Sequence, residues 1–155
     1  MDDQLQELHT FLFAPERCFQ ADEEEWIEGG IGEFLETIRS FLEARGVVLE
    51  ISNEQIGKGE GYSLAVNGEL LVLYTEAELA VTRGQETLAR TTVPVNRLLT
   101  EAGAEQQMYC YSGWNDLAVI FLTLEEHAKA CATLEAAGYE FPEIPYSPAV
   151  ATDLL

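Results

Sequence analysis

Apolar residues recur at helical spacing in several stretches of the chain. Leu5, Leu8, Phe11 and Leu12 form a short stripe within residues 3–13, and Pro15 falls just past its end. Ile31, Phe34, Leu35, Ile38, Phe41 and Leu42 form the longest stripe. It predicts an amphipathic helix from about Ile31 to Arg45, stopped by Gly46. Pro94 suits the first turn of a short helix carrying Val95, Leu98, Leu99 and Ala102, closed by Gly103. A last helix is predicted from Leu124 to Ala137, opened by the capping pair Thr123 and Glu126 and ended by Gly138, with Leu124, Ala128, Cys131 and Leu134 turned inward.

Other stretches read as strands. Tyr62–Val66 and Glu69–Tyr74 flank Asn67-Gly68, a dipeptide that accepts the positive φ angles of a tight type I′ turn, so the two segments form a hairpin. Val47–Ile51 reads as a strand before it, and residues 56–61 as a loop. Met108–Tyr111 and Leu117–Leu122 read as two more strands, the second an unbroken apolar run suited to a strand covered on both faces. Ala21–Gly32 reads as a connection. Thr75–Arg90 supports either a thin helical stripe, with Thr75 and Glu78 as a capping pair, or a strand. Short turns between neighbouring strands favour an α+β fold: one domain over residues 1–138, with a mainly antiparallel sheet of about five strands and helices on one face, a two-layer sandwich. Residues 139–155, with Pro142, Pro145 and Pro148, read as an extended tail.

Charge changes this picture more than composition does. Of 155 residues, 47% are hydrophobic, enough for one core, but 28 Asp and Glu stand against 8 Lys and Arg, a formal charge of −20. Such a surface repels phosphate and anionic lipid, so neither nucleic acid nor a membrane is an expected partner. Cys18, Cys110 and Cys131 are odd in number and follow no metal or redox spacing, and the chain opens on the acidic Met1-Asp2-Asp3. Both features point to the cytoplasm.

The familiar catalytic constellations are missing. Gly57-Lys58-Gly59-Glu60-Gly61 leads into a strand and lacks the order of a phosphate loop. Gly29-Gly30-Ile31-Gly32 opens a helix, but Glu28 and Glu33 beside it would repel an anion. His127 and Cys131, four apart, are half of a zinc site, and a buried structural cysteine is the commoner reading, so no metal and no cofactor are expected. Arg83, Arg90 and Arg97 lie seven apart and would align on one helix, but Pro94 is expected to break it.

The segment that stands out is acidic with one tryptophan: Asp22, Glu23, Glu24, Glu25, Trp26 and Glu28, then Glu33 and Glu36 on the following helix. Dense carboxylates around an exposed indole would attract a lysine- or arginine-rich surface. The leading reading is a non-catalytic acidic protein that captures a basic partner protein, in its most concrete form an immunity protein or antitoxin neutralising a nuclease-like toxin. An indole folded back over the core is the competing structural use of Trp26. A second reading is a small-ligand domain or thiol enzyme with a pocket near Cys110, Trp114 and His127; a third is a homodimer formed through a sheet face or the tail.

Overall fold

The computed structural model describes residues 3–57, 61–75, 80–111, 117–139 and 142. The elements run α1 (Asp3–Leu12), β1 (Cys18–Gln20), α2 (Glu23–Glu25), a π-helical turn (Trp26–Gly30), α3 (Ile31–Glu43), β2 (Ile51–Gly57), β3 (Gly61–Val66) and β4 (Glu69–Tyr74). They continue with α4 (Ala80–Glu101), β5 (Gln106–Tyr111), β6 (Ala118–Thr123) and α5 (Leu124–Ala136). The chain is an α+β domain in which every strand pair among the described residues is antiparallel, as the hydrophobic pattern led us to expect.

The strands divide into two three-stranded sheets, β1-β6-β5 and β2-β3-β4, in place of one sheet of about five. Helix α4 is the reason. It packs against both β4 and β5, and a helix about 10 Å across keeps two strands from reaching hydrogen-bonding distance. The first sheet is buried on both faces. Met108, Cys110, Val119 and Phe121 enter one apolar cluster with α3 and the second sheet, while Tyr109, Tyr111, Ile120 and Leu122 enter another with Leu12 of α1 and with Ala130 and Leu134 of α5. Helices therefore flank this sheet on two sides, one more than the two-layer arrangement expected. The second sheet turns Tyr62, Leu64 and Leu73 to the core and leaves Ile56 and Leu70 exposed.

Local features follow the sequence closely where a specific residue dictates them. Asn67 and Gly68 adopt φ of 52° and 81°, and the hairpin closes across Val66 and Glu69. The Thr123 side chain accepts from the Glu126 N–H at 3.1 Å and the Glu126 carboxylate accepts from the Thr123 N–H at 2.9 Å, the expected capping box.

Elsewhere tertiary packing overrides the local pattern. Ala21–Gly32 is largely helical, and the Val47–Ile51 strand moves on to Ile51–Gly57, an exposed edge strand with no alternation to read. Thr75–Arg90 resolves as helix from Ala80, with Glu78 outside the described residues. Helix α4 runs unbroken through Pro94. Pro94 has no N–H for the Arg90 carbonyl, but Ala89, Val95 and Leu99 on either side of it are buried, and the Thr91 and Thr92 hydroxyls donate to carbonyls one turn back, both at 2.7 Å. In α5 the inward face is His127, Ala130, Cys131 and Leu134, whereas Leu124 and Ala128 face out. The His127 ring stacks on Tyr109 at 4.0 Å between centroids, which sets the roll of the helix.

Candidate functional site

The acidic segment is built on a turn that the first carboxylate starts. Asp22 Oδ1 accepts from the Glu24 N–H at 2.9 Å, as a helix N-cap does. The π-helical turn follows, and Gly29 at φ 112° kinks it into α3. This offset brings Trp26 beside Phe34, ring centroids 4.5 Å apart, with the indole only 2% exposed. The expected aromatic contact surface is therefore corrected: Trp26 is core and anchors the run from inside. Its carboxylates point the other way. Asp22, Glu24, Glu25, Glu28, Glu33 and Glu36 are all exposed, and Glu23 belongs to the same run. Glu36 pairs with Arg39 at 2.6 Å, and that hydrogen bond holds its carboxyl below the ordinary value. Among the described residues, the other five exposed carboxylates form no salt bridge.

The start of α3 is closed to outside anions because the protein supplies its own. Gly30 offers no side chain as a cap; the Ile31 N–H donates to Tyr62 Oη and the Gly32 N–H to Glu54 Oε2, both at 2.9 Å. Tyr62 in turn donates to Glu54 at 2.6 Å. Burial, reinforced by the hydrogen bond to Glu54, pushes the Tyr62 phenol well above its ordinary pKa. A Cβ at Gly32 would lie 2.5 Å from Glu54 Oε2, so only glycine lets the carboxylate this close. Glu28 and Glu33, held in the sequence to repel an anion here, are not the residues that fill the place. Glu54 lies 22 residues beyond Gly32, and no short-range signal marks it.

The residues of the second reading are separated. Cys110 is buried on the α4 side of the first sheet, with its sulfur 3.6 Å from Thr92 Oγ1. His127 lies on the opposite side, stacked on Tyr109. A sheet thus stands between the thiol and the base, and Trp114 lies outside the described residues. His127 Nε2 instead meets the Pro142 carbonyl at 2.7 Å and Cys131 Sγ at 3.2 Å. A carbonyl only accepts, so Nε2 carries the proton there and does not take one from Cys131. Burial and then the nearby Glu135 raise the Cys131 thiol pKa, which disfavours a thiolate. Among the described residues no group of three or more His, Cys, Asp or Glu stands ready to hold a metal ion, and no helix is long and apolar enough to cross a membrane. Tyr109 and Tyr111 are core, 3% and 2% exposed.

A concavity that the sequence did not reveal lies between β4 and α4. Its volume is about 620 Å³, and its walls include Leu70 and Val72 from the strand and Val93, Pro94 and Leu98 from the helix. Arg90 and Arg97 reach its rim because α4 continues through Pro94 and keeps residues seven apart on one side. Arg83 is part of the same helix. Comparison of the chain with known protein families, curated proteins and solved structures finds no match.

Proposed function

We propose that the chain is a non-catalytic binding protein that captures a basic partner protein on the acidic run from Asp22 to Glu36, its most concrete form being an immunity protein or antitoxin that plugs the cationic cleft of a nuclease-like toxin. The observation that carries this reading is the exposure of six carboxylates on a backbone pinned from beneath by Trp26. Holding them in place in advance lowers the ordering entropy of a complex. Their mutual repulsion is relieved when a cation docks, and their field speeds encounter with one.

The test uses a purified cationic nuclease domain as probe. Association with the intact chain is expected to slow by about tenfold or more between low and physiological salt. A variant carrying Asp22→Asn, Glu24→Gln, Glu25→Gln and Glu28→Gln should lose most of that salt dependence. A control with Glu101→Gln, Glu105→Gln, Glu125→Gln and Glu135→Gln removes the same charge elsewhere and should keep it. Equal losses in both variants would reduce the acidic run to unspecific net charge and refute the reading.

A further inference from the structure

Helix α4 meets the edge of a sheet on each side and treats the two edges differently. Toward β5 it closes the edge: the Asn96 side-chain amide donates to the Met108 carbonyl at 3.1 Å and accepts from the Met108 N–H at 2.5 Å, as a neighbouring strand would. Toward β4 it packs as well, with Arg90 on the Leu73 carbonyl, but beside Leu70 and Val72 a groove of about 620 Å³ remains. β4 is the last strand of its sheet, and among the described residues no strand pairs with its outer side.

The hairpin register tells which peptide groups face that groove. A two-residue turn makes Val66 and Glu69 the hydrogen-bonded pair, so Leu71 also bonds inward to Leu64. The peptide groups of Leu70 and Val72, opposite Ala65 and Ser63, then point away from β3. At the irregularity that follows, the Leu73 carbonyl accepts from Arg90 at 3.1 Å. The Leu70 side chain is 71% exposed beside this edge.

We propose that the groove receives an extended segment of a partner polypeptide, added to β4 as a further strand, with an apolar side chain against Val93 and Pro94 and a carboxylate held by Arg97. Backbone pairing supplies the affinity and the groove wall the selectivity, the physics of strand addition. Among the described residues, four charged ones border the groove: Arg90 and Arg97, with Glu69 and Glu101. Arg97 is exposed and makes no salt bridge among the described residues, which makes it the cation on offer. Arg90 is engaged at the Leu73 carbonyl and Glu69 and Glu101 balance the groove's charge, so selectivity for an end carboxylate rests on direct contact with Arg97. The groove is separate from the acidic run, and the inference stands whether or not a basic partner docks there.

The test is fluorescence anisotropy with two labelled, C-terminally amidated synthetic peptides of about eight residues, alternating valine and threonine and ending in either aspartate or lysine, so that only the first carries a carboxylate. The intact chain should bind the aspartate peptide saturably and prefer it. Leu70→Pro removes an N–H that faces the groove and none that bonds to β3; it should weaken binding at least tenfold with an unchanged circular dichroism spectrum. Should that variant lose its fold, Val93→Trp, which fills the groove from the helix, carries the same expectation. Arg97→Glu should weaken the aspartate peptide about tenfold and reverse the preference, consistent with a charge-assisted contact. No saturable binding, binding indifferent to Leu70→Pro and Val93→Trp, or a dimer in sedimentation velocity that Leu70→Pro dissolves would each overturn the proposal, the last because a second copy then occupies the edge.

Discussion

The two sheets are alike in size and pairing and opposite in use. Sheet β1-β6-β5 hides both faces, and its β5 edge is closed by Asn96. Its residues alternate between two apolar clusters, and Phe121 stacks on Phe41 at 4.0 Å. Sheet β2-β3-β4 commits one face to the core, shows Leu70 and Ile56 to solvent, and borders the groove. Burial and presentation are divided between the sheets, with α4 serving as wall for both. A strand closed on every side stabilises the fold and has little left to offer a partner, whereas a strand with an open edge keeps hydrogen-bonding capacity in reserve.

Substitutions in the two sheets should separate these roles. The largest effect is expected in the first: Phe121→Ala should lose about 3–5 kcal/mol in urea denaturation, whereas Leu70→Ala in the second should stay within about 0.5 kcal/mol. Similar losses would erase the contrast. Next comes the closed edge. Asn96→Leu leaves the Met108 peptide groups buried without partners and should lose about 2–3 kcal/mol, with the Met108 amide losing protection from hydrogen exchange. An amide that stays protected would mean that Asn96 does not close the edge. The smallest effect concerns the polar tie between the second sheet and α3. Tyr62→Phe should lose about 1 kcal/mol at neutral pH. Because the folded pKa of Tyr62 lies above its unfolded value, the stabilisation from its neutral form is whole below pH about 10 and is lost as the pH rises beyond that. Thermal melts should therefore fall more steeply above pH 10 in the intact chain than in the variant, and parallel curves would remove Tyr62 from the account.

Several elements were legible because one residue or one short pattern dictates each. Asn67-Gly68 requires its turn, Thr123 and Glu126 cap α5 reciprocally, and the stripe from Ile31 to Leu42 has one way to bury itself. The exposed carboxylates from Asp22 to Glu36 were legible as well, since charge seeks water. Trp26 was not: whether an indole among acids faces out or in depends on a kink at Gly29 and on Phe34 arriving beside it. Pro94 misled for a related reason. Its local penalty is read from one residue, but the burial that outweighs it comes from the sheet and helices around α4.

The α+β class, the hairpin, the principal helices and an anionic surface follow from the residues alone, because periodicity, turn chemistry and solvation act over a few residues. Long-range packing set the rest: the strands form two sheets, Cys110 and His127 lie on opposite sides of one of them, Glu54 caps α3, and Arg90 and Arg97 border a groove. Each of these depends on which distant surfaces meet when the core closes, and no window of neighbouring residues contains that information.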